Sequence, residues 1–126
     1  MKVKCISTKS IGREDEYDSL TPGKEYVVLS VEFYESDSLF SDELDDFVVY
    51  RIKDNDGFVM PYPSKLFDIS SNKIPECWVA YQSRAGKFEL LPGLWARKSF
   101  WEEYYNDDPI ALEEFEKAER EILTQL

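Results

Sequence analysis

The chain has 126 residues, of which 43% are hydrophobic and 15% aromatic, so it is long enough for one domain with its own core and too apolar to be disordered. Its net charge of −11 argues against nucleic acid or an anionic membrane as the partner, because phosphate contacts need clustered Lys and Arg. The chain has no His, which removes the commonest general base, the commonest metal ligand and every Ser-His or Cys-His pair. We therefore expect no enzyme activity, no metal and no cofactor.

The first part of the chain is predicted to form strands. Residues 2–8 alternate polar and apolar side chains, which is typical of a half-buried strand. Pro22 and Gly23 occupy the two centres of a predicted type II turn, and a strand rich in Val, Tyr and Phe follows at 25–34. Alternation gives this strand one wholly apolar face, so we expect a common core that contains Val27, Leu29, Val31, Phe33, Trp78 and Phe115.

Two hairpins are predicted in the middle of the chain, each with a turn between two short apolar runs. The first hairpin has strands at 47–53 and 58–62 with a turn at Asp54–Gly57. The second has strands at 77–81 and 87–91 with a turn at 84–86. A short helical turn is predicted between the hairpins at 64–67.

After Gly93 the apolar period becomes helical. Asp108 and Pro109 are typical of a helix start, with Asp as the N-cap and Pro at the first helical position. One apolar stripe then runs along the last helix, through Ala111, Phe115, Ala118, Ile122 and Leu126. The predicted fold class is α+β and mainly β. It is a single domain, 1–126, with a small antiparallel barrel or bent sheet at 1–92 and C-terminal helices at 93–126.

The connector at 35–46 is the strongest candidate for a binding surface. Its clustered carboxylates repel one another unless something basic meets them, and they surround apolar side chains that a merely solvating loop does not need. The alternative is a solvated loop that keeps the protein soluble. The candidate partner-binding residues are Leu39, Phe40, Asp42, Glu43, Leu44, Asp45 and Asp46.

Other motifs favour structure over chemistry. Asp54–Gly57 has some features of a calcium loop, but it lacks the remaining ligand positions, so a hairpin turn is the better interpretation.

Met1 leads into a charged segment with no signal-peptide pattern, and no apolar stretch is long enough to cross a bilayer. We therefore expect a cytoplasmic protein in which Cys5 and Cys77 are reduced thiols.

Several segments together resemble a known group of proteins. The segments are the Pro-Gly turn and strand at 20–31, the hairpin at 50–57, Tyr62–Asp68 and Ile74–Trp78. They are similar to small bacterial SH3-like proteins found as immunity proteins for polymorphic and contact-dependent growth inhibition toxins. The likeness covers about half of the chain, and the acidic connector at 35–46 and the last helix lie outside it.

The resemblance implies an SH3-like fold and a protein without a reaction of its own. Such a protein binds its cognate toxin's C-terminal domain in the cytoplasm of the producing cell and blocks it; many such toxins are nucleases. An acidic protein suits a basic, phosphate-binding cleft. The alternative is an SH3-like module that binds a peptide or small ligand, with no toxin partner, in a groove lined by Tyr50, Tyr62 and Trp78.

Overall fold

A computed structural model describes residues 1–9, 16–35, 47–84 and 86–126. Seven strands lie in these residues, in chain order β1 Lys2–Cys5, β2 Glu25–Tyr34, β3 Val48–Lys53, β4 Val59–Pro63, β5 Phe67–Ser71, β6 Trp78–Arg84 and β7 Lys87–Pro92. Two helices follow, α1 at Phe100–Tyr105 and α2 at Pro109–Thr124, and two single 3-10 turns lie at Ser64–Leu66 and Gly93–Trp95. The predicted class, α+β and mainly β, is confirmed at this level.

The sheet is antiparallel, and β2 is at its centre. One edge of β2 pairs with β3, and β4 continues the sheet beyond β3. The other edge is shared, because β1 pairs with the start of β2 and β7 pairs with its end. β5 extends the sheet beyond β1, and β6 extends it beyond β7. The sheet is open, since no pairing among the described residues joins β4 to either of the other outer strands.

Both faces of β2 are buried, which corrects the expectation of a single core face. Val28 and Ser30, expected on the opposite face from the core, have no exposed surface, and Val27 and Phe33 are only partly buried. The rest of the expected core, Leu29, Val31, Trp78 and Phe115, is buried.

The physical reason is a bulge together with a second covered face. The β2–β3 register slips between Val28 and Ser30, so Leu29 is an extra residue that breaks the two-residue alternation. Val28 and Val31 therefore lie on the same face of the sheet, where their cross-strand partners on β3 are Ile52 and Tyr50. The helices cover the other face, so every residue of β2 from Val28 to Glu32 is buried.

Most predicted elements are confirmed with shifted ends, and β6 runs on to Arg84, which was expected in the turn. The Pro22-Gly23 turn is closed by the Lys24 N–H, which donates to the Thr21 carbonyl at 3.1 Å, and Gly23 has the positive φ, +88°, that the turn requires. The strand predicted at 2–8 ends at Cys5, and the helical period after Gly93 resolves into a 3-10 turn and α1. Strand β5 was not predicted. Cys5 is buried and Cys77 half-buried, and both thiols are free.

The helices pack on the sheet through aromatic rings. The Asp108 carboxylate accepts a hydrogen bond from the Ala111 N–H at 3.0 Å, which caps α2 as predicted. Phe115 stacks on Trp95 with ring centroids 5.1 Å apart, and the Trp95 indole N–H donates to the Glu114 carbonyl at 3.1 Å. Four residues of the predicted α2 stripe are buried, while its last member, Leu126, remains partly exposed.

Replacing Val28 by Ala tests the burial that the bulge gives to this residue. The change removes two methyl groups from a fully buried site, so we expect the free energy of unfolding to fall by about 2 kcal/mol. The same substitution at Val27, which is only partly buried, should cost less than about 1 kcal/mol. Urea unfolding of the two variants measures both losses, and a larger loss for Val27→Ala would contradict the register described above.

Candidate functional site

The predicted binding loop lies outside the described residues, so the structure places none of Leu39, Phe40, Asp42, Glu43, Leu44, Asp45 and Asp46. It does show where the flanking residues are held. The Tyr34 N–H donates to the Phe47 carbonyl at 2.8 Å, and the Glu35 N–H donates to the Gly86 carbonyl at 2.9 Å. The chain therefore leaves the sheet beside the β6–β7 turn at Glu35 and returns at Phe47 along the β3 edge of β2.

An exposed aromatic step lies at this end of the sheet. We use this name for Phe33 and Phe88, which are direct cross-strand partners on β2 and β7. Their rings stack at a centroid distance of 4.4 Å and an interplanar angle of 7°, and Phe88 is 43% exposed. The step borders a cavity of about 350 Å³ whose lining also includes Glu35 and Gln82. Stacking fixes both rings in place, so the step offers a rigid apolar surface.

A buried polar cluster lies on the opposite face of β2, under α1. We call it the Arg51 cluster; it consists of Glu32, Tyr34, Arg51, Glu89 and Tyr105. The Arg51 guanidinium bonds Glu32 Oε1 through Nη2 at 2.7 Å and Nε at 3.2 Å. Its Nη1 donates to the Tyr105 hydroxyl at 2.8 Å, and the Tyr34 hydroxyl donates to Glu32 Oε2 at 2.8 Å.

Strand register and α1 together build this cluster. Glu32 pairs with Val49, and Ser30 pairs with Arg51, so Glu32 and Arg51 are diagonal neighbours on one face of the sheet. Glu89 lies directly opposite Glu32 on β7. Above them, the Trp101 ring of α1 covers the Arg51 guanidinium at 4.3 Å, a cation–π contact. Three strands and one helix are therefore held around one charged group.

The two carboxyl groups of the cluster differ in their electrostatics. Burial opposes the ionisation of Glu32, but the charges of Arg51 and Lys87 and the hydrogen bonds from Arg51 and Tyr34 outweigh it and hold the pKa of Glu32 below its usual range. Burial raises the pKa of Glu89, and the neighbouring Glu32 charge raises it further. Glu89 Oε1 has no hydrogen-bond partner among the described residues.

Two carboxyl groups with separated pKa values are a feature of acid–base active sites, but here a substrate cannot reach them. Glu32 is fully buried and Glu89 is 4% exposed. The cavity that borders the cluster, of about 490 Å³, is lined by Arg51 and Tyr34 but by neither carboxyl group. The cluster therefore acts as an ion-pair network that supports the sheet, and the absence of an enzyme activity remains a prediction.

The same cavity is strongly cationic, and we call it the cationic cavity. The described residues of its lining all have polar or charged groups; they are Tyr34, Arg51, Ser83, Arg84, Lys87 and Lys98. No local sequence pattern predicts this cavity, because its cations come from three separate parts of the chain: β3, the β6–β7 turn and the segment before α1. The available signal was the excess of bases in 47–101, eight Lys or Arg against five Asp or Glu.

The peptide groove considered from the sequence is not present as a surface feature. Its three proposed lining residues, Tyr50, Tyr62 and Trp78, are each less than a tenth exposed and belong to the core. Tyr62 instead donates its hydroxyl to the buried Asp54 carboxylate at 2.8 Å and anchors the β3–β4 turn. Within the described ranges, no three Cys, Asp or Glu side chains are grouped so that they could hold a metal ion.

The Arg51 cluster predicts opposite pH effects for its two carboxyl groups. Because the folded pKa of Glu89 is raised, its contribution to stability is greatest below the unfolded value of about 4.3 and is lost as the pH rises through the folded pKa. Glu89→Gln should therefore increase the free energy of unfolding at pH 7 and change it little near pH 4.

Glu32 has a lowered pKa, so its contribution is present above about pH 4.3 and is lost as the pH falls. Glu32→Gln should therefore destabilise the protein most at pH 7, where it leaves Arg51 buried without a counter-charge. Urea unfolding of both variants between pH 4 and 7.5 checks these signs. Stability curves for Glu89→Gln that run parallel to the wild type at every pH would show that Glu89 does not titrate as described.

Comparisons with protein-family models, curated proteins and solved structures find no match to this chain. No helix among the described residues is both long and apolar enough to span a bilayer. The functional argument therefore depends on the residues themselves, above all the aromatic step, the cationic cavity and the charge of the chain.

Proposed function

We propose that this protein is an immunity protein that binds the C-terminal toxin domain of a polymorphic or contact-dependent growth inhibition system. It acts in the cytoplasm of the producing cell, by covering the toxin's active site or substrate-binding surface. The observation that carries the proposal is the exposed aromatic step, because it lies where the predicted acidic binding loop leaves the sheet.

The chemistry of this end of the sheet supports a protein partner. Protein interfaces have apolar, often aromatic anchors at their centres, surrounded by polar side chains that exclude water. Phe88 supplies exposed aromatic area, and its position is fixed by Phe33 and by the strand pairing beneath it. The acidic loop at 36–46, whose ends are held beside this step, adds five carboxylates and three large apolar side chains in sequence.

The net charge of the chain supports a basic partner such as a nuclease. At −11, the protein attracts a cationic surface over several ångströms and accelerates encounter, by roughly 10–1,000-fold in steered complexes. The protein differs from a purely acidic inhibitor in one respect. Lys87, a cation of the cationic cavity, also lines the cavity beside the aromatic step. The contact surface that we propose therefore combines the acidic loop and Glu35 with the cation Lys87.

The SH3-like part of the proposal depends on the motifs quoted above. The open strand order does not reproduce a closed small barrel. The Pro22-Gly23 turn, the Asp54–Gly57 turn and the 3-10 turn at Ser64–Leu66 nevertheless form at the places that the resemblance implies. The positions of these three turns support the resemblance to SH3-like proteins.

Co-expression tests the proposal directly. The full chain would be expressed with the toxin domain encoded immediately upstream of its gene, and both cell survival and co-purification would be measured. We expect survival only when the full chain is present and a stable complex with the toxin domain. A toxin that kills equally well with and without the chain would overturn the proposal and leave a binding module with no toxin partner.

Neutralising the loop should slow association with the toxin. The four changes Asp42→Asn, Glu43→Gln, Asp45→Asn and Asp46→Asn remove the charges that steer encounter, so the association rate should fall and its salt dependence should flatten. Folding should be intact, since clustered like charges repel one another and do not stabilise a fold. Phe40→Ala should instead raise the dissociation rate, because it removes an anchor.

The control for the loop variant removes four exposed acids elsewhere, at Glu76, Glu102, Glu113 and Glu116. Glu119 is unsuitable as a control because its carboxylate bonds Lys53 at 2.7 Å. Both variants have the same net charge, so stopped-flow association rates separate local from global charge. An unchanged rate for the loop variant beside a slower control would place the contact away from the loop, on the surface that carries the control acids.

Phe88→Ala should weaken toxin binding through faster dissociation, by about tenfold or more if Phe88 is an anchor. Phe58→Ala is the matched control, since Phe58 is 66% exposed in the β3–β4 turn, at the opposite end of β3 from the loop. Surface plasmon resonance measures both dissociation rates. Equal rates for Phe88→Ala and the wild type would exclude the aromatic step from the interface.

A further inference from the structure

We propose that the cationic cavity binds a small phosphate-bearing anion, at a site separate from the aromatic step. The proposal does not depend on the toxin. The cavity gathers four of the chain's fifteen Lys and Arg side chains around about 490 Å³, in a protein of net charge −11. Like charges brought together raise the energy of the folded protein, and a bound anion relieves that repulsion.

The cations converge from separate parts of the fold. Arg84 ends β6 and Lys87 begins β7, so the two flank the turn between these strands. Lys98 comes from the segment that leads into α1, and Arg51 reaches the cavity from β3. Strand pairing fixes the backbone at Arg51, Arg84 and Lys87, so three of the four cations start from preformed backbone positions, which reduces the entropy lost on binding.

The charges of the lining are only partly balanced within the protein. Glu32 neutralises Arg51, with 2.7 Å between Nη2 and Oε1. Lys87 Nζ lies over the Tyr34 ring at 5.2 Å. Neither Arg84 nor Lys98 has an ion pair with any described residue. At least two positive charges are therefore available to a ligand, with Lys87 as a third cation.

A hydroxyl group in the lining points to the same chemistry. Ser83 Oγ is buried and has no hydrogen-bond partner among the described residues. A buried hydroxyl without a partner costs free energy, and an oxyanion in the adjoining cavity would accept its hydrogen bond. Serine hydroxyls, lysine ammonium groups and arginine forks are common ligands of phosphate oxygens.

Size and lining favour a small ligand over a protein segment. The volume lies within the range of about 300–1,000 Å³ that is usual for small-molecule sites. Every described residue of the lining has a charged or hydroxyl-bearing side chain, which suits a small anionic ligand. A phosphate group has close to two negative charges at pH 7, so one or two such groups match the charge available.

Calorimetric titration of the full chain tests the site, with inorganic phosphate, pyrophosphate and ADP as probes at low ionic strength. We expect saturable one-to-one binding, with pyrophosphate tighter than phosphate. Affinity for ADP above that for pyrophosphate would assign a nucleotide, and equal affinity would assign the phosphate groups alone. Tetraglutamate serves as a carboxylate probe of similar charge, and equally tight binding of this peptide would overturn the assignment to phosphate.

The double variant Arg84→Gln with Lys98→Gln removes two ligand contacts. We expect pyrophosphate affinity to fall by about a hundredfold, since each charge-assisted contact contributes about tenfold. Lys4→Gln with Lys117→Gln makes the same change in net charge at exposed positions outside the cavity and should alter affinity by less than about threefold. Equal losses in the two variants, or no saturable binding to the wild type, would overturn the proposal.

Discussion

The buried ion pair between Arg51 and Glu32 constrains the structure around it. Removing two charges from water costs several kcal/mol per ion unless close geometry and further hydrogen bonds compensate for it. That requirement explains why Trp101 and Tyr105 of α1 cover Arg51 and why the Tyr34 hydroxyl bonds Glu32. The pair is weak evidence for stability, but it specifies the register of β2 against β3, because a slip of one residue would bury both charges without partners.

The sequence predicts this fold well where a signal is local. The β2 strand matches its predicted limits because it is a continuous run of β-branched and aromatic residues, and α2 begins at its predicted N-cap Asp108. Strand β5 escaped prediction because three of its residues, Asp68, Ile69 and Ser70, are exposed and give no apolar pattern. It forms because β1 offers an edge for pairing, which is a property of the assembled sheet.

The candidate site shows the same division between local and non-local information. Clustered carboxylates around apolar side chains predict a binding surface at 35–46, and no strand pairing is needed for that prediction. The Arg51 cluster could not be found in this way, because alternation assigns Glu32 to a solvent-facing position. Its burial depends on a helix about 70 residues later in the chain and on a bulge at Leu29 that only the β2–β3 pairing reveals.

The cluster also connects the two surfaces to which we assign binding. Tyr34 lines both the cavity beside the aromatic step and the cationic cavity, and its hydroxyl is fixed on Glu32. Lys87 also lines both cavities and lies against the Tyr34 ring. The walls of the two sites are thus held by one ion pair that neither ligand needs to contact. A rigid support of this kind holds the exposed cations and the exposed Phe88 in position although they are not buried. A partner can reach these exposed side chains and finds them already ordered.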